Sequence, residues 1–344
     1  MSEHNKLQNL ILKLVGAAGV SGAESGASKV AAEELSRFMN VNTDTLGNVV
    51  GTVGETGPVI LLDAHIDQIG MIVTGIDDEG FIKVDKCGGM DIRGLAAQEV
   101  IVWGKKPLKG VVASIPPHLS NSDDAKTAKK ITDLSIDAGM TAEKAKITIR
   151  PGDRVTLSGN AQCLMGDKIC SPALDDRVGV AAILRSLELL EGRKIACKLV
   201  VQFSVQEETG GSGAKTGSYN SEAEECITVD VSFASAPGIP EEKCGDLGKG
   251  PMLGVAPILD ESMFKTMEKI AIAENIPYQV EVMGARTGTN ADSIQTTKAG
   301  IKTALLSIPL RNMHTPTEII SLADVENTAR LIAAYILNRE GKNE

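Results

Sequence analysis

Two textures within one chain constrain its fold most. Over 1–67, and again from 164 onward, amphipathic helices alternate with short apolar strands, whereas 68–163 carries short strands parted by Gly- and Pro-bearing turns. Strands alternating with helices build an α/β sheet, and consecutive short strands build a β unit of their own. The expected architecture is a mixed-sheet α/β domain, 1–67 and 164–344, split by a small inserted β domain over 68–163. At 344 residues the chain has the length for both.

Leu7, Leu10, Ile11, Leu14 and Val15 mark one face of a first helix, and Val30, Ala31, Leu35, Phe38 and Met39 turn inward from a second that follows Ser25. Val180, Ile183, Leu184, Leu187 and Leu190 do the same over 176–190. Buried strands are expected at 59–62, 199–203, 226–229 and 304–308. Within the insert, 71–76 and 81–84 flank Asp77-Asp78-Glu79-Gly80 and read as a hairpin, and 116–130 reads as a polar loop. Ser321 with Asp324 three residues on fits a capping box for the last helix.

Composition removes several function classes. Lys and Arg number 35 against 45 Asp and Glu, a formal charge of −10, which argues against sequence-independent nucleic-acid binding. No apolar run approaches the roughly 20 residues of a membrane helix. At the N-terminus His4, Asn5, Lys6 and Gln8 interleave with apolar residues, the pattern of an amphipathic helix and not of a signal peptide. Six scattered cysteines, none in a CxxC pair, read as reduced thiols in a cytoplasmic protein, mostly as small core residues.

An open α/β sheet binds ligands outside the carboxyl ends of its strands. The run 59–62 is followed by Asp63-Ala64-His65-Ile66-Asp67, and 199–203 by Glu207-Glu208-Thr209-Gly210-Gly211. Asp230 follows 226–229, His314 lies in the loop after 304–308, and Asp175 precedes the helix at 176–190. Asp176 beside it reads as a helix cap; His118 and His4 read as structural. Carboxylates gathered at one edge repel by about 4 kcal/mol per pair at 4 Å and an effective dielectric near 20. Protons or cations must fill the space. Imidazole and carboxylate together suit zinc or a similar transition metal, and five such ligands serve two ions if one carboxylate bridges. Three ligand carboxylates would then leave two divalent ions with about +1, and Glu207 in that field stays ionised as a general base must. The residues thus point to a co-catalytic di-metal hydrolase.

The strings DAHIDQIG, SPALDDRVG, QEETGGSGA, VDVSFA, GTNADS and NMHTPTE resemble, in order and spacing, the tetrahedral (TET) and glutamyl aminopeptidases, whose relatives are sometimes labelled cellulase M. The resemblance spans nearly the whole chain. It implies that His65 and Asp230 hold one metal, that Glu208 and His314 hold the other, and that Asp175 bridges them. Asp67 would orient the His65 ring, and Glu207 would be general base and acid. It further implies an inserted β-barrel that mediates dimers, assembled in several relatives into tetrahedral dodecamers, and two divalent ions per subunit, zinc first, with cobalt or manganese as alternatives. The substrates would be short peptides with a free N-terminus, with neither nucleic acid nor membrane as partner. Thr209-Gly210-Gly211 and Asn290 depart from the family's usual hydrophobic-Gly-Leu run and aspartate. Two rival readings predict different things. A metal-free glycosidase using Glu207 and Asp230 would ignore chelators, and a non-catalytic assembly protein would have lost part of the ligand set.

Overall fold

The computed structural model describes residues 3–115, 117–119 and 130–338. Helices α1 (Glu3–Val15) and α2 (Ser25–Leu35) lead into strands β1 (Asn40–Thr43), β2 (Val49–Val53) and β3 (Val59–His65). Then come β4 (Gly70–Ile76), β5 (Ile82–Cys87), β6 (Glu99–Trp103), β7 (Pro107–Val112), β8 (Ser135–Asp137), the short helix α3 (Ala142–Thr148) and β9 (Arg154–Leu157). These six strands close into a barrel in the order β4-β5-β8-β7-β6-β9. Its neighbouring strands pair antiparallel. The barrel has its own core, in which Met71, Val73, Ile82, Val84, Val100, Val102, Ile136 and Val155 are buried. Most of the polar stretch expected to loop out at 116–130, residues 116 and 120–129, lies outside the described residues.

After the barrel the chain forms β10 (Gln162–Cys163), β11 (Lys168–Ser171), α4 (Leu174–Leu190), β12 (Lys198–Ser204), α5 (Ser212–Ser221) and β13 (Glu225–Phe233). It ends through β14 (Met252–Val255), α6 (Glu261–Ala273), β15 (Gln279–Val282), α7 (Ala291–Ile294), β16 (Lys302–Leu310), β17 (Glu318–Ser321) and α8 (Leu322–Asn338). Eight strands make one mixed sheet, ordered β1-β2-β12-β3-β13-β16-β14-β15. Its centre, β12-β3-β13-β16, is parallel, as helical crossovers require. Alternation along β3 assigns its two faces. Ile60 and Leu62 pack with Ile11, Leu35, Ile183 and Ile332, from α1, α2, α4 and α8, while Leu61 faces Ala214 of α5 and Ile294 of α7.

Register explains where the sheet opens. β12 stays paired with β3 to its end, Ser204 opposite His65, but β13 parts from β3 after Thr228 meets Asp63. Beyond that point β13 continues beside β16 as far as Phe233. Asp230 therefore lies inside a strand that runs four residues past the expected 229, on the flank of a crevice between β3 and β13. That is where an open parallel sheet offers space for a ligand.

Two local expectations are corrected. The N-terminus of α8 is not closed by a capping box. The Ser321 hydroxyl donates to Asp167, which also accepts the Ala323 amide, and Asp324 instead accepts the amides of Gly248 and Gly250, each at 2.7 Å. Of the six cysteines, only Cys197 and Cys226 are buried, and Cys163 is exposed.

Candidate metal centre

The carboxyl edge of the parallel strands gathers the expected side chains into two groups sharing one aspartate. His65, Asp175 and Asp230 form the first, and Asp175, Glu208 and His314 the second; within each, one donor atom per residue lies within 4.8 Å of the others. Asp175 divides its oxygens between them. Oδ1 is 3.0 Å from His65 Nε2, and Oδ2 is 3.2 Å from His314 Nε2. Asp230 Oδ1 stands 3.8 Å from His65 Nε2, and Glu208 Oε1 3.4 Å from His314 Nε2.

Each side chain is placed by local structure. His65 is the last residue of β3, while Glu207 and Glu208 follow β12. Asp67 has a task beyond the ring orientation expected of it. Its two carboxylate oxygens accept the amides of Glu207 and Glu208, at 3.0 and 3.2 Å, and so fix the turn carrying both glutamates. The nearest partner of His65 Nδ1 is the backbone oxygen of Asp67 at 3.1 Å, with the Asp67 carboxylate at 3.5 Å. Asp176 accepts the Gly179 amide from its Oδ1, a cap for the regular part of α4, and its Oδ2 receives the His65 amide at 3.3 Å.

Glu318 is a residue that the sequence reading passed over. It is buried, 2% exposed. Its Oε1 accepts the His314 amide at 2.9 Å, and its Oε2 accepts those of Leu174 and Asp175 at 2.8 and 3.2 Å. One carboxylate thus ties together the two loops that carry the shared aspartate and His314. A glutamate heading the apolar strand Ile319-Ile320, four residues after a candidate ligand, was the available signal. Among the described residues, Asn290 has no hydrogen bond to any of the five cluster residues. Its amide donates to Asp63 at 2.9 Å and to the Ser204 hydroxyl at 2.7 Å, beneath the ends of β3 and β12. Thr209 shares a 2.7 Å hydroxyl contact with Ser21.

The electrostatics show which charge the cluster attracts. Burial, reinforced by its carboxylate neighbours, drives Asp230 well above the usual carboxylate range. Burial also raises Glu208, and raises Glu207 to about 7 against the opposing pull of His65. Burial would lower both imidazoles, but Asp175 with Asp67 pushes His65 well up, and Asp175 with Glu208 pushes His314 up to about 11. Without cations the donors are stable only when protons occupy the places between them. A set of two imidazoles and three carboxylates with this appetite for positive charge fits divalent ions of the zinc type.

This ordered geometry agrees with the comparisons. Residues 47–331 match the family model of the M42 glutamyl aminopeptidases. The chain belongs to the M42 family. The lysyl aminopeptidase of Pyrococcus furiosus is 32% identical over 333 residues, spanning 95% of this chain and 96% of the relative. Among solved structures, an aminopeptidase from the archaeon Desulfurococcus kamchatkensis superposes with a TM-score of 0.91 at 32% identity, covering 97% of this chain and 95% of that one. The TET1 peptidase of Pyrococcus horikoshii, described as assembling into a tetrahedron or a large octahedral shell, gives 0.86 at 30%, covering 96% and 99%. The mixed α/β fold with its closed barrel is thus the M42 fold. Among the described residues no helix is long and apolar enough to cross a membrane.

Proposed function

We propose that this M42 member is a metal-dependent aminopeptidase that removes N-terminal residues from short peptides, with Glu207 as general base and acid. The division of the Asp175 carboxylate between two histidines of separate groups carries this reading. His65 and Asp230 would hold one ion, Glu208 and His314 the other, and Asp175 both. When bound, two divalent ions supply Lewis acidity toward the scissile carbonyl and make water more acidic. The backbone amide of Glu207 donates to the Asp67 carboxylate at 3.0 Å, which fixes its turn; its side chain would take the proton of the attacking water and return it to the departing nitrogen. Asp67 keeps Glu207 and Glu208 in a fixed relation, and Glu318 keeps Asp175 and His314 in theirs.

Zinc is the ion we favour from the mixed nitrogen and oxygen donors, with cobalt or manganese as alternatives. The barrel is proposed as the dimer contact, and assembly into closed shells is proposed on the likeness to the TET1 structure. A cytoplasmic setting is proposed from cysteines such as Cys87, Cys163 and Cys244 that are not drawn into disulfides. The test is metal content by mass spectrometry with hydrolysis of an aminoacyl-p-nitroanilide panel before and after chelation. Two ions per chain and activity that chelation abolishes and zinc, cobalt or manganese restores are expected. Cleavage of sugar polymers that ignores the chelator would overturn the reading in favour of a metal-free glycosidase.

A further inference from the structure

A turn after one barrel strand reaches the metal centre. β5 ends at Cys87, and the two glycines after it lie against side chains of the second group. A Cβ added at Gly88 would sit 3.1 Å from Glu208 Oε2 and 3.2 Å from Glu208 Cβ, with Ile69 Cγ2 at 2.9 Å on its other side. A Cβ added at Gly89 would sit 3.1 Å from His314 Nδ1 and 3.2 Å from its Cε1. The opposite edge of that ring, at Nε2, faces Asp175 and Glu208. His314 is thus held at its backbone by Glu318 and bounded at its ring by bare barrel backbone. His65 and Asp230, by contrast, stand on β3 and β13 of the central sheet.

We infer that Gly88 and Gly89 are positioning residues for the second ion site. Their turn walls in Glu208 and His314, so that the donor atoms of both converge with Asp175. The inference rests on the di-metal reading above. Ligand distances in a metal site hold to about ±0.2 Å. A methyl at Gly89 obliges the His314 ring to yield by a few tenths of an ångström, which is as large as that tolerance. Gly88 has a φ of +86°, so any side chain there also strains the backbone, whereas Gly89 lies outside the left-handed region. Gly89→Ala is therefore the cleaner probe. Gly94, with nothing within 4 Å of a Cβ added to it, supplies the control.

The experiment titrates the metal-free full-length protein with zinc, by calorimetry and by competition with a chromophoric chelator, in wild type, Gly89→Ala, His314→Ala, the double variant and Gly94→Ala. Gly89→Ala should weaken one of two binding events by roughly 10- to 100-fold, the effect typical of groups that orient a ligand, and leave the other unchanged. The weakened event must be the one that His314→Ala abolishes. Adding Gly89→Ala to His314→Ala should do nothing more. If Gly89→Ala lowers the melting temperature, removing the ring must restore it to that of His314→Ala. Unchanged affinity at both sites, equal weakening of both, or a stability loss that persists without the ring would each overturn the inference. A wild type that binds no zinc would instead overturn the metal reading, and this inference with it.

Discussion

On the proposed reading, Asp175 and Glu207 divide the work of the centre, one by geometry and one by proton transfer. Glu207→Gln keeps shape and removes the base, so turnover should fall by roughly 10²–10⁴-fold while both ions stay bound; near-normal kcat at intact metal content would contradict the assignment. Glu318→Ala strips the acceptor from three backbone amides. It should lower metal affinity by roughly 10- to 100-fold and lower the melting temperature as well, and wild-type affinity by calorimetry would show that Glu318 is not what holds the two loops. Four of the five cluster residues were legible because they end or follow an apolar strand, a position that sequence reports, and Asp175 because it stands at the start of a helix. The hold of Asp67 on the glutamate turn, and the task of Glu318, were not legible. Both act on backbone amides of remote loops, Glu318 across 144 positions to Leu174, and side-chain type says nothing about which amide a buried carboxylate will find.

At the scale of elements the N-terminus of α8 shows the same limit. Ser321 and Asp324 have the spacing of a capping box, yet Asp167, 154 positions from Ser321, is the residue that closes the helix. Asp167→Ala should cost about 1 kcal/mol, the usual worth of a cap, and an unchanged denaturation midpoint would contradict that role. Asp324 accepts two amides from the Gly248–Gly250 turn, but burial outweighs them and raises its carboxyl from 3.8 to about 6. Between those values the folded chain keeps a proton that the unfolded chain has released. The stabilisation from this group is therefore complete below about pH 4 and is lost as the pH rises past about 6. Melting curves of wild type and Asp324→Asn should show the wild-type advantage shrinking over that window and level above it. A gap independent of pH would contradict the shift.

For the whole molecule, periodicity separated the two textures, because a period of two and a period of 3.6 are local properties. Closure of the barrel in the order β4-β5-β8-β7-β6-β9, and the parting of β13 from β3, depend on pairings between distant segments that no local pattern encodes. On the proposed reading, the crevice and its carboxylates link folding to ion binding. Ions at 100 times their dissociation constant should add about 2.7 kcal/mol of stability per independent site, so stripping them should lower the melting temperature, and a chelator without effect on it would contradict ion binding by the native fold. The most direct measurement follows the products formed from matched peptides with free and acetylated N-termini, using zinc-reconstituted protein with and without chelator. The account predicts stepwise loss of N-terminal residues from the free peptide alone, abolished by the chelator. Equal cleavage of the acetylated peptide, or cleavage that survives metal removal, would contradict it.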